Sequence, residues 1–144
     1  MTKRYFNFAL IYAIAGFVCG VFYREFTKLN DFSGTTMLGK AHVHLLMLGM
    51  LMFLLVGLFS RFYRLEEQKL FRNFMVIYNS GLAVMVVMMI VRGITEVLGT
   101  ELSKAANGII SGVAGIGHIL VAAGIIHLII VLKKCANNEK NTVK

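Results

Sequence analysis

Four long apolar stretches dominate this sequence, and each has about the length that a bilayer requires. They cover approximately residues 5–23, 41–60, 71–91 and 106–132. An α-helix needs about 20 apolar residues to cross roughly 30 Å of hydrocarbon, and the linkers between the stretches are short and charged. The sequence therefore predicts an all-α integral membrane four-helix bundle, with residues 1–144 forming a single transmembrane domain.

The composition excludes the common soluble classes. Hydrophobic residues make up 58% of the chain, charged residues make up 15%, and the mean hydropathy is +0.74. A soluble domain of this size cannot bury so much apolar surface. The net charge of +8 would suggest nucleic-acid binding in a soluble protein. Here the basic residues flank the apolar stretches, so we expect membrane lipid, and not nucleic acid, as their partner.

The distribution of lysine and arginine predicts the orientation in the membrane. Ten basic residues belong to the N-terminus, the linker after the second stretch and the C-terminal tail, whereas five belong to the other two linkers. Because cytoplasmic segments carry the excess of basic residues, we expect both termini in the cytoplasm. The first apolar stretch is long for a signal-peptide core, and no transit peptide is evident. These features predict a multi-pass protein of the bacterial inner membrane.

All four histidines lie in or at the edge of the apolar stretches. An ionisable residue at membrane depth indicates function, although a neutral imidazole hydrogen-bonded between helices is the alternative. Counting about 1.5 Å per residue from the charged ends places His127 about 20 Å from the level of Arg92. The same estimate predicts a single layer in the outer half of the membrane, made of His42, His44, His118 and Arg92.

This layer contains the residue types that a b-type haem requires. Haem iron accepts axial imidazoles from facing helices, and the Arg92 guanidinium can bind a propionate. Arg92 could instead pair with Glu96, four residues further on. The candidate cofactor site therefore consists of His42, His44, His118 and Arg92, with the three histidines as metal ligands. Nine methionines make copper a less favoured alternative, since methionine is also an ordinary packing residue.

The spacing of His42 and His44 has a geometric consequence. Residues two apart on a helix point about 200° away from each other, so this pair cannot easily bind one metal but can address two sites. A monomer could then turn only one of them into its own bundle, and the other would face lipid or a neighbour. We therefore expect a homo-oligomer in which neighbouring subunits each contribute a histidine to a shared site. The alternative is a ligand pair within one chain, in which His118 replaces one of the two histidines.

The run Ala41-His42-Val43-His44-Leu45-Leu46-Met47-Leu48-Gly49 resembles the haem-ligand helix in subunit I of haem–copper oxidases. It is also similar to small bacterial membrane proteins related to the cbb3-type enzyme. The resemblance implies that this chain corresponds to one four-helix arc of that subunit, with Arg92 placed like a propionate-binding arginine. It also favours a trimer, with a dimer as the other possibility. The sequence has no His-x-x-x-Tyr copper helix, so a complete oxygen-reducing site is not expected and enzymatic activity stays open.

Three functions fit these features. The first is a haem-b-binding membrane protein for electron transfer or for gas or redox sensing, whose redox partner the sequence does not identify. The second is a small transporter or channel with a histidine-lined path for metal ions or protons. The third is a structural subunit of a membrane complex.

Overall fold

The computed structural model describes the backbone of residues 2–142 and the side chains of residues 2–138. Four long helices form most of the chain, and the described part contains no β-strand. Each helix is long and apolar enough to span a membrane, so the prediction of an all-α multi-pass membrane protein is confirmed. The helices are α1 (Thr2–Leu29), α2 (Leu38–Phe59), α3 (Lys69–Val97) and α4 (Lys104–Thr142).

The short connections arrange the helices as two hairpins. Helix α1 packs on α2, helix α3 packs closely on α4, and the α2–α3 contact joins the hairpins. The segments 30–37 and 98–103 lie at one end of the molecule, which we call the loop end. The segment 60–68, the start of α1 and the end of α4 lie at the opposite end, the terminal end. Helices α2 and α4 do not pack closely on each other, and this separation creates a cleft.

The core holds the hairpins together through aromatic side chains. Phe53 of α2 stacks on Tyr12 of α1, and its ring also lies edge-on to Tyr78 of α3. Large aliphatic side chains remain exposed on the outer surfaces, as expected of residues in contact with lipid. The largest fully buried side chains are Tyr5, Tyr78, Phe53, Phe71, Phe74, Leu38, Leu65, Leu82, Met85, Val56 and Val131.

Helix α2 is not a regular α-helix along its whole length. A π-helical stretch runs over Leu45–Leu51, directly after His44. The Tyr78 hydroxyl donates a hydrogen bond of 2.6 Å to the Leu48 carbonyl oxygen within this stretch. Gly49 permits the close approach of Tyr12, because a Cβ atom at Gly49 would lie 2.5 Å from the Tyr12 Cγ. The π stretch changes the direction in which the side chains after His44 point around the α2 axis, compared with a regular α-helix.

Candidate functional site

A cleft of about 670 Å³ lies between α2, α3 and α4 at the loop end. Its volume is within the range of small-molecule sites. Apolar side chains, among them Met88 and Met89 of α3 and Ile110 of α4, form part of its wall. The polar and charged lining residues are Lys40, His44, Arg92, Glu96, Asn107, Ser111 and His118.

Two histidines face each other across this cleft. The ring centres of His44 on α2 and His118 on α4 are 6.4 Å apart, and the ring planes are inclined by 80°. The Nδ1 of His44 lies 2.9 Å from the Lys40 carbonyl oxygen, and the Nδ1 of His118 lies 2.8 Å from that of Ala114. A carbonyl oxygen can only accept, so Nδ1–H is the donor in both rings. A neutral imidazole held in this way carries its lone pair on Nε2, the atom that can bind a metal.

The exposure of His118 distinguishes it from an ordinary packed histidine. Its side chain is exposed, whereas His44 is half-buried. His118 also lies about 20 Å along the α4 axis from Lys104, well inside an apolar helix. An imidazole that faces hydrocarbon at this depth is unfavourable. A cofactor or a polar group in the cleft would remove that cost.

Arg92 links α3 to α4 at the mouth of the cleft. Its guanidinium donates hydrogen bonds to the Asn107 side-chain oxygen and, over 2.7 Å, to the Ser111 hydroxyl oxygen. A weaker contact of 3.4 Å reaches the Asn107 carbonyl oxygen. Arginine has five N–H donors, so donors remain for an anion. The two α4 contacts orient the guanidinium before any ligand arrives.

Glu96 has a structural partner, and it is not Arg92. A Glu96 carboxylate oxygen accepts a hydrogen bond of 2.7 Å from the backbone N–H of Met37, just before α2 begins. This contact satisfies one of the free N–H groups at a helix N-terminus. Among the side chains of residues 2–138, no ion pair joins Arg92 to Glu96. The alternative of an Arg92–Glu96 pair is therefore wrong for this structure.

His42 lies outside the cleft and faces α1. Its ring stacks on Tyr23 with the ring centres 6.3 Å apart and the planes inclined by 13°. It also packs against Gly20, where an added Cβ would lie 3.6 Å from the His42 Cγ. Its Nδ1 is buried without a hydrogen-bond partner. His42 and His44 therefore both contact helices of their own chain, and the premise that one of them must face lipid or a neighbour does not hold.

The cleft contains three of the four predicted site residues, His44, His118 and Arg92. His127 lies outside it and has a buried Nδ1 without a partner. The sequence reasoning missed Lys40 and Asn107. A signal for both was present, since Lys40 precedes His44 by four residues and Asn107 shares helical spacing with Ser111, Ala114 and His118.

The described side chains contain no group of three or more His, Cys, Asp or Glu residues that could hold a metal ion. His44 and His118 thus form a pair and not a larger set. A metal that takes all of its ligands from protein usually requires three or four. Two histidines alone are fewer protein ligands than a bare zinc ion usually takes.

Residues 2–135 match the family model described as "Protein of unknown function (DUF2871)", and the chain belongs to this family. The matched region contains α1, α2 and α3, α4 as far as residue 135, and every lining residue of the cleft. Comparison with curated proteins and with solved structures gives no match.

Proposed function

We propose that this chain binds haem b in the cleft and serves in electron transfer or in gas or redox sensing. The observation that carries the proposal is the separation of 6.4 Å between the ring centres of His44 and His118. If two imidazoles bound the same metal ion from opposite sides, each through a nitrogen at about 2 Å, their ring centres would lie roughly 6 Å apart. His44 and His118 are the proposed axial ligands. Haem supplies its own four equatorial nitrogens, so two protein ligands are sufficient.

The remaining lining residues suit the other parts of a haem. The apolar wall with Met88, Met89 and Ile110 offers contacts to the flat macrocycle. Arg92 and Lys40 provide two cations at the loop end, where the propionates would reach the water boundary. The donors left on Arg92 are aimed by its bonds to α4.

Bound haem iron supplies one-electron chemistry whose potential depends on its axial ligands and surroundings. The backbone carbonyls of Lys40 and Ala114 fix both imidazoles and raise the basicity of the two Nε2 atoms. If His44 and His118 both held the iron, no iron position would be left for an added ligand, which favours electron transfer as the proposed use. Gas sensing would require one histidine to leave, and the exposed His118 has fewer contacts to lose than the half-buried His44.

The resemblance to one arc of the oxidase subunit supports a haem in this chain, with one change in the ligand set. The proposed site uses one histidine of the His42-x-His44 pair together with His118, and it does not use His42. We also propose a bacterial inner-membrane location with both termini in the cytoplasm, as the charge distribution favours. The cleft then opens in the outer half of the membrane.

The test is the reduced-minus-oxidised absorption spectrum of detergent-purified protein from haem-replete cells. We expect a Soret band with sharp α and β bands, and we expect His44→Ala and His118→Ala to abolish them. His127→Ala is the matched control and should keep its haem, because His127 lies outside the cleft. Circular dichroism of each variant checks that the helices are intact.

Two outcomes would contradict the proposal at different levels. A colourless wild-type preparation rejects haem binding altogether. Loss of haem in His42→Ala with retention in His118→Ala keeps the haem but rejects the ligand assignment.

A further inference from the structure

A second cleft, of about 600 Å³, lies at the terminal end. The connection between α2 and α3 forms most of it, and the first turn of α3 completes it. Three arginines belong to its lining, at positions 61, 64 and 72, together with two glutamates, at 66 and 67. Its chemistry depends on which of these charges are already neutralised within the chain.

The connection is anchored, so the cleft has a defined shape. Leu65 is only 1% exposed and belongs to the core. It begins a short 3₁₀ helix, Leu65–Glu67. Glu66 accepts a hydrogen bond of 2.6 Å from the Tyr5 hydroxyl of α1. A backbone held in this way keeps the charged residues of the cleft close together and loses little backbone entropy when a ligand binds.

The internal pairing leaves a positive charge. Glu67 forms an ion pair of 3.3 Å with Arg64. Glu66 accepts a hydrogen bond from the neutral Tyr5 hydroxyl and keeps its own charge, so the three arginines and two glutamates of the lining leave a net charge of +1. Arg61 and Arg72 are exposed, and neither has an ion pair within residues 2–138. The cleft therefore offers two free guanidinium groups, whose forked donors match the oxygens of a phosphate.

Apolar surface lies beside these charges. Phe62 is 69% exposed and Leu58, four residues earlier, is 50% exposed. Leu58 lies in the last turn of α2, a helix apolar enough to span a membrane, and Phe62 lies in the connection that follows it. An occupant that satisfies both surfaces has an anionic phosphate and an apolar tail. Basic pockets at helix ends are a common means of binding such headgroups.

We propose that this cleft binds an anionic phospholipid, with its phosphodiester against Arg61 and Arg72 and an acyl chain along Phe62 and Leu58. The site is independent of the haem proposal, because the two clefts share no lining residue and lie at opposite ends of the helices. A lipid held here would contact α2, α3 and the connection between them.

The experiment is native mass spectrometry of the full chain released from nanodiscs that contain phosphatidylglycerol and phosphatidylcholine in equal amounts. We expect retained phosphatidylglycerol on the wild type and at least a tenfold loss in Arg61→Gln/Arg72→Gln, since the variant loses the charge-assisted hydrogen bonds from both guanidinium groups to the phosphodiester. Lys3→Gln/Lys133→Gln removes two exposed charges at the same end, outside this cleft. This control should change retention by less than about twofold. Arg61→Lys/Arg72→Lys keeps the charge but removes the forked donors, and we expect an intermediate loss.

Equal loss in the arginine and control variants would overturn the proposal, because it would show general surface attraction. Equal retention of the two lipids by the wild type would overturn it as well. A further arm adds soluble glycerol 3-phosphate. Binding of that anion as strongly as the lipid would reassign the cleft to a soluble phosphate compound. Circular dichroism confirms that each variant is folded before its lipid content is compared.

Discussion

The hydrogen bond at Nδ1 divides the four histidines into two pairs. In His44 and His118 this atom is bonded to the carbonyl oxygen four residues earlier, which fixes the ring and leaves Nε2 available. In His42 and His127 the same atom is buried without a partner. A buried polar atom without a partner costs stability and offers no fixed ligand geometry. The difference favours the first pair for the proposed ligand role.

Arg92 provides the sharpest test at the scale of a residue. We expect Arg92→Gln to weaken haem binding by at least tenfold, because charge-assisted hydrogen bonds contribute about 1.5–3 kcal/mol. Arg24→Gln is the matched control, since Arg24 is exposed, pairs only with Glu25 and lies outside the cleft. The measurement is a haem titration of the apoprotein in detergent. Equal affinities of the two variants would show that Arg92 does not bind a propionate.

The sequence predicted which residue types would form the site better than it predicted which way each side chain would face. Polar residues at membrane depth are rare, so Arg92 and the histidines were conspicuous. Helical periodicity also separates His42 from His44, but it does not say which of them faces the cleft. That choice depends on the neighbours, because α1 covers His42 with Tyr23 whereas α4 brings His118 to His44.

At the scale of the elements, the most extensive contact is between α3 and α4, and glycines permit it. A Cβ at Gly117 would lie 2.8 Å from the Met85 backbone nitrogen and 3.0 Å from the Gly81 carbonyl oxygen. On another face of α4, a Cβ at Gly112 would meet nothing within 4 Å. Helices approach closely in membranes where small residues face each other. The two glycines therefore have opposite sensitivities to an added methyl group.

We expect Gly117→Ala to destabilise the protein by about 1–3 kcal/mol, because the methyl group meets backbone atoms that cannot move independently. In the monomeric chain, Gly112→Ala should be neutral or stabilising by up to about 1 kcal/mol, since no other helix of the chain lies at this position and alanine favours the helix. Denaturation in mixed micelles followed by circular dichroism measures both. Similar losses in the two variants would contradict the α3–α4 packing.

The helices themselves were predictable because apolar length is a direct requirement of the bilayer. The ends of the helices were harder to predict. Helix α1 continues to Leu29, beyond the predicted end at residue 23, because Arg24, Glu25 and Lys28 extend the helix outside the apolar stretch. The π stretch in α2 was not predicted from the sequence, and Tyr12 and Tyr78 pack against it from other helices.

At the scale of the whole molecule, the orientation can be tested with single cysteines. In a Cys19→Ala/Cys135→Ala background, Thr100→Cys places a thiol at the loop end and Asn137→Cys places one at the terminal end, both at exposed positions. A maleimide that cannot cross membranes should label Thr100→Cys in intact spheroplasts and Asn137→Cys only after lysis, because the terminal end carries the basic excess. The reverse pattern would contradict the predicted orientation.

The oligomeric state is the remaining property at this scale. The glycines of α4 at positions 108, 112 and 115 face open space, with nothing within 4 Å of an added Cβ. Such a surface permits close approach of another helix, and cyclic symmetry would repeat the contact around a closed ring.

We expect a trimer by native mass spectrometry, as the resemblance to one-third of the oxidase subunit implies. Gly108→Ile/Gly112→Ile should shift it to monomers, whereas Val21→Ile on the exposed face of α1 should not. A wild-type dimer would contradict the threefold symmetry but not the oligomer itself. A wild-type monomer would contradict the whole prediction.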